Sequence, residues 1–158
     1  MKIVDSLFRA SGGLYLTNGA TAEVSGSKFL GNLGGGFGLF VSGAAGTTTS
    51  ATIVDTVSSD NFSGFVATSN VASGNVRLSC LRCTASNNAQ VGFLNGAVAG
   101  ASAQMLVGSS LASYNGQFGF TNFVIAGGDA TFESLGNNAL HQNTMGSVSG
   151  TITTVPGF

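Results

Sequence analysis

Acid–base and nucleophilic chemistry needs carboxylates, His or Cys held close together, and this chain has few to gather. Its acids are Asp5, Glu23, Asp55, Asp60, Asp129 and Glu133; there is one histidine, His141, and two cysteines, Cys80 and Cys83. A glycoside hydrolase needs two carboxylates across one cleft, roughly 5 to 9.5 Å apart. Asp5 and Asp55 occur in matching phrases, "IVDS" and "IVDT". Arg82 takes the same place in "CLRC" and Gly26 in "VSGS". A calcium-assisted lyase needs clustered carboxylates for the metal and an Arg as base. The candidate catalytic residues are therefore Asp55, Arg82 and Asp5, without the carboxylate cluster that calcium requires. The alternative reading of Asp55 and Arg82 is a surface ion pair between neighbouring strands.

The remaining chemical motifs point away from catalysis. "CLRC" is a single CxxC, whereas metal sites use two such pairs or added His. A redox CxxC sits at a helix N-terminus, and this one reads as strand, with both Cys as small buried fillers. His141 reads as a surface residue. "GNLGGGFG" lacks the Lys and the following helix of a phosphate loop. An ice-binding face needs Thr at one outward position in successive repeats. The column Glu23, Thr52, Ser79, Leu106, Ser134 is too mixed for that. No cofactor and no metal are expected.

Composition narrows the partners. Net charge is −1, with 7% of the 158 residues charged. That leaves no basic stripe for a phosphate backbone, so nucleic acid is excluded. No apolar run reaches the length of a membrane span, and "MKIVDSLFRASGG" lacks the apolar core of a secretory signal.

The elements that position these residues repeat. Segments end at Asn32, Asn61, Asn88, Asn115 and Asn143, which by subtraction lie 29, 27, 27 and 28 residues apart. "IVDSLFRAS" adds a sixth, with Ser11 in the Asn column and a shorter first turn. Each repeat holds two or three runs of alternating polarity between Gly, Asn or Ser, which is the strand-and-turn pattern. Strands recurring at a period near 27 mean stacked coils of a solenoid.

Columns read up the stack assign the faces. Ile3, Val24, Ile53, Cys80, Val107 and Leu135 point inward. Ser6, Ser27, Thr56, Cys83, Ser110 and Asn138 supply small groups for bonds to one another or to turn backbone. Phe8, Phe29, Ser58, Ala85, Ala112 and Leu140 form a third inward column. Leu14, Phe37, Phe65, Phe93, Phe120 and Ser147 form a fourth, whose four consecutive Phe should stack at the inter-strand spacing of about 4.8 Å. The Asn column should turn inward and bond to its copies, with Gly giving the following turn its backbone freedom. Leu7, Lys28, Val57, Thr84, Leu111 and Ala139 face outward as a semi-apolar strip, which could mark a partner surface.

The corners "GSKFLGN", "DTVSSDN" and "GSSLASYN", each followed by "GF" or its like, resemble the right-handed parallel β-helix repeats of the pectin lyase-like superfamily. The resemblance covers essentially the whole chain. It implies an all-β, right-handed, single-stranded parallel β-helix of about six rungs, one domain over residues 1–158. It also implies an extracellular, periplasmic or cell-surface location. The end, "LGNNALHQNTMGSVSGTITT", is similar to the closing coil of secreted bacterial members of unassigned function. Such relatives carry an N-terminal cap, and nothing like one precedes Ile3. The expected partners are polysaccharide and, through the uncapped first rung, another copy end to end; "TVPGF" is expected to help close the other end. The functional expectation is a non-enzymatic secreted or surface scaffold that contacts glycans. The alternative is a polysaccharide lyase or glycoside hydrolase acting on a uronate-containing glycan, or a C-terminal fragment of one.

Overall fold

A computed structural model describes residues 1–32 and 34–156. All regular elements among them are strands, and they form three parallel sheets. Sheet A has seven strands, including Thr48–Val54, Asn75–Leu81, Ser102–Gly108 and Asp129–Ser134. Sheet B has six strands of three residues, such as Val57–Ser59 and Thr84–Ser86. Sheet C has six, including Phe37–Ser42, Ser63–Ser69, Phe93–Ala97 and Phe118–Val124. The chain visits A, B and C in turn, and each strand pairs with those one circuit away. The fold is a right-handed parallel β-helix of six rungs, about 29 Å long at 4.8 Å per rung.

The strands form where β-branched and aromatic residues alternate with polar ones. In Asn75–Leu81, Val76, Leu78 and Cys80 are buried, while Asn75 and Arg77 are exposed. Three corners per rung turn the chain, and each is built on a residue in the left-handed region. Between sheets A and B these are Asp5, Gly26, Asp55, Arg82 and Ser109, with φ of 46°, 57°, 51°, 52° and 49°. Between B and C they include Gly31, Asp60, Asn87 and Tyr114. Between C and A they include Gly46, Ser73, Gly100 and Gly127.

Directly after the B-to-C corner, the Asn column enters the core as expected. Asn61 N–H donates to Asn88 Oδ1 at 3.1 Å, and Asn88 N–H to Asn115 Oδ1 at 3.1 Å. The side-chain amides continue the chain: Asn88 Nδ2 donates to Asn115 Oδ1 at 2.9 Å, and Asn115 Nδ2 to Asn143 Oδ1 at 2.8 Å. Ser11 N–H starts the ladder by donating to Asn32 Oδ1. A second ladder follows the A-to-B corner. Ser6 N–H donates to Ser27 Oγ and Cys83 N–H to Ser110 Oγ, while Ser27 and Ser110 hydroxyls donate to the carbonyls two residues back. Both ladders satisfy corner N–H groups that would otherwise lie unpaired in an apolar interior.

Glycine in the "GF" phrase has a role other than the expected one. Gly64, Gly92 and Gly119 do not adopt positive φ, and neither does Gly38, which precedes Leu39 at the paired position. They face the core, where a Cβ on Gly92 would lie 2.9 Å from Asn115 Nδ2 and 3.1 Å from Ala112 Cβ. Space, not backbone freedom, excludes a side chain there.

Register corrects three columns. Phe65 pairs with Leu39, not Phe37, and Phe120 with Val148, not Ser147. The fourth inward column is therefore Leu14, Leu39, Phe65, Phe93, Phe120, Val148. Leu39 lies seven residues after Asn32, against four from Asn61 to Phe65, so extra residues at this corner shift the phrase. Only three Phe remain in the column. Phe65 and Phe93 stack at 5.2 Å, but Phe93 meets Phe120 edge-on at 85°. In two sheet A columns, Val107 pairs with Ser134, not Leu135, and Leu106 with Glu133, not Ser134. One extra residue at the Leu135–Gly136 corner restores register by Ala139, which pairs with Leu111.

Of the "TVPGF" tail, Thr153–Thr154 adds to the edge of sheet A and Val155 N–H donates to Ser134 O. Gly157 and Phe158 lie outside the described residues.

Three substitutions test this framework. Asn88→Ala leaves the buried Asn61 N–H without its acceptor, and chemical denaturation should show a loss of about 2–4 kcal/mol. Asn137→Ala, at an exposed position, should cost about 0.5 kcal/mol or less. Gly92→Ala should destabilise by about 1–3 kcal/mol through overpacking. A neutral Gly92→Ala would show that the Asn corner has room to spare.

Candidate functional site

The three candidate catalytic residues all sit at the A-to-B corner, where the backbone demands positive φ. Asp tolerates that region better than most residues, because its short side chain bonds locally. The shared "IVD" phrase thus has a conformational origin. Arg82 Nε donates to Asp55 Oδ1 at 2.7 Å and Nη2 to Oδ2 at 2.8 Å. This two-pronged pair is the one ion pair among the described residues, and both side chains are more than half exposed, at 59% and 55%. Asp5 does not join it. It stands two rungs away, its carboxylate lying over Gly26 where a Cβ would otherwise be.

The pair sets both charges. The hydrogen bond from Arg82 and its positive charge hold the Asp55 carboxyl below its ordinary value of 3.8. Asp55 in turn raises the Arg82 guanidinium above its usual range. A base at Arg82 would have to release a proton that Asp55 helps it keep.

Cys80 and Cys83 are both free and buried. Burial first, and the neighbouring Cys83 second, push the Cys80 thiol well above its ordinary range. Cys83 is buried in the core as expected, at 1% exposure. It lies at the corner beyond the strand and occupies the hydroxyl ladder, with Sγ 3.5 Å from Leu81 O. His141 is exposed and pairs in register with Ser113, its ring 6.1 Å from that of Tyr114. Among the described residues, no three His, Cys, Asp or Glu side chains gather at one point.

The exteriors of the three sheets differ. Sheet B carries the expected strip Leu7, Lys28, Val57, Thr84, Leu111, Ala139, in register throughout. Sheet A is polar, with a shallow hollow around Leu106 lined by Arg77, Gln104, Thr131 and Glu133. Sheet C is aromatic outside as well as inside, which the column assignment missed because it placed Phe37 inward. Tyr15, Phe40, Val66, Leu94, Thr121 and Ser149 form its outward column. Tyr15 and Phe40 stack at 4.9 Å and 6°, and Phe37 packs on Phe40 at 4.7 Å. Val66, although on the outside, is only 1% exposed. The "LYL" and "FGLF" phrases, read as neighbours in register, were the signal for this face. No helix among the described residues is long and apolar enough to cross a membrane.

The Asp55 pair has a definite pH signature. Its carboxyl is lowered in the folded state, so its contribution is present above the unfolded value and fades as pH falls through the folded one. Asp55→Asn keeps a residue suited to positive φ while removing the charge. Its melting temperature should fall slightly below that of the parent at neutral pH, and the gap should close in acid and in high salt. A gap that persists in acid would show that something other than the ion pair is lost. No protein-family model, no curated protein and no solved structure matches this chain.

Proposed function

We propose that this chain is a non-enzymatic β-helical scaffold of the pectin lyase-like kind, working outside the cell or on its surface and contacting glycans. The observation that carries this reading is where the candidate catalytic side chains lie. Asp5, Asp55 and Arg82 occupy positions that the corner backbone demands, and Asp55 and Arg82 are committed to each other. What remains on the exterior is three long faces, each repeating a side-chain column at the rung spacing. A long rigid face suits an extended polymer, because successive units can lie along it without reordering the protein. Fold alone does not assign activity, so the reading rests on these residues and not on the enzymes that share such folds.

A panel of uronate-rich, neutral and cell-wall polysaccharides, each with and without calcium, tests it. Co-sedimentation should detect binding, while new reducing or unsaturated ends should be absent. Product formation that Asp55→Ala or Arg82→Ala abolishes would overturn the scaffold reading and place a cleft at that corner.

A further inference from the structure

Resting on that glycan-contacting reading, we propose that the outer face of sheet C is the contact surface and that it takes a neutral polysaccharide. The face has an aromatic surface. Tyr15 is 59% exposed, and its ring is nearly parallel to that of Phe40. Parallel rings in contact lie about 3.5 Å apart, so centroids 4.9 Å apart mean that the two overlap like tiles, each showing part of its face. Three rungs below Phe40, the Phe123 ring lies over Gly96, in the space a side chain there would fill. Gly96 thereby lets the ring lie down on the sheet. Between these rings, Leu94 is half-buried and Val66 is covered by its neighbours, so the rung interval carries apolar side chains and no charge.

Charge selects the occupant. None of the six strands of sheet C contains Asp, Glu, Lys or Arg. Every charged side chain of the chain lies elsewhere. An anionic chain docked on this face would lose hydration without gaining a partner, whereas a neutral sugar loses no charge. The polar groups that the face does offer are neutral: the Tyr15 phenol, and the hydroxyls of Ser42 and Ser149 on its outward positions. Sugar rings present the matching surface, with apolar C–H faces for the rings and hydroxyls for those groups. A lipid surface would use the aromatics but leave the hydroxyls facing hydrocarbon.

The test compares a neutral soluble β-glucan, polygalacturonate and neutral phosphatidylcholine vesicles as probes, against the parent chain and three variants. Tyr15→Leu and Phe123→Leu remove rings but keep apolar cover, and circular dichroism checks that both stay folded. Arg77→Ala changes the hollow of sheet A instead. The neutral glucan should bind, and polygalacturonate should bind at least about tenfold more weakly. Each ring variant should weaken glucan binding about tenfold, while Arg77→Ala leaves it within about twofold. Glucan binding that survives both ring variants would overturn this face while leaving the glycan reading in place. Preference for polygalacturonate would overturn the neutral ligand, and preference for vesicles would replace the glycan with a lipid surface. Binding to none of the three would overturn this proposal, and a blank across the wider polysaccharide panel as well would remove the glycan reading beneath it.

Discussion

The structure depends on how corner N–H groups are satisfied in a dry interior. Strand N–H groups find carbonyls on the next rung without help, because parallel pairing supplies them. A corner breaks that pattern and turns an N–H inward. At Asn32, Asn61, Asn88 and Asn115 that N–H donates to the side-chain oxygen of the Asn one rung on. The requirement propagates outward from there. The oxygen must come from a short side chain, which selects Asn at one corner and Ser or Thr at the other. That amide and the backbone carbonyl of the next rung fill the space beside it, which excludes a Cβ at Gly64, Gly92 and Gly119.

Much of this was legible in the sequence because ladders repeat residue identity, not only polarity. Asn and the small hydroxyls recur at fixed places, and the structure shows the Asn column bonded from Ser11 to Asn143 and the hydroxyl column from Ser6 to Thr56 and from Cys83 to Asn138. The Phe8 and Leu7 columns of sheet B were also correct, since three-residue strands between two fixed corners leave no freedom of register. Sheet C was harder. The distance from the Asn column to the paired residue varies from Asn32–Leu39 to Asn61–Phe65, and a constant count then lands on Phe37. The error had a physical source: "GGFG" contains the Gly–aromatic phrase Gly36–Phe37 two residues before the true Gly38–Leu39 step. Placing Phe37 inside concealed the aromatic exterior, because it used up the very ring that packs against Phe40.

The candidate site shows the opposite limit. Asp5, Asp55 and Arg82 were correctly placed in one column, and Asp55 and Arg82 do meet. Their types, however, reflect a backbone conformation that sequence pattern alone does not display. Positive φ at five successive copies of one corner accounts for Asp, Gly and Ser there. Arg82 is the member that conformation does not favour, and its fork onto Asp55 offsets part of the mismatch. Short polar residues at a repeated position in a solenoid can therefore imitate a catalytic column. The Asn95–Asn122 bond inside sheet C, at 2.9 Å, is a second short ladder of the same kind. It was missed because it spans only two rungs.

The extra residue at Leu135–Gly136 has a wider meaning. Pairing is in register at Ser134 and again at Ala139, and Gly136, with φ of 77°, absorbs the difference. The corner works as an expansion joint: length changes are taken up locally and never travel along the column. A codon gained or lost at such a joint leaves every later rung aligned, whereas the same change inside a strand would turn each following side chain to the wrong face. Lengthening by duplication of a whole rung needs no new interface either, since each rung already fits a copy of its neighbour. The architecture confines evolutionary change in length to places where the core does not register it.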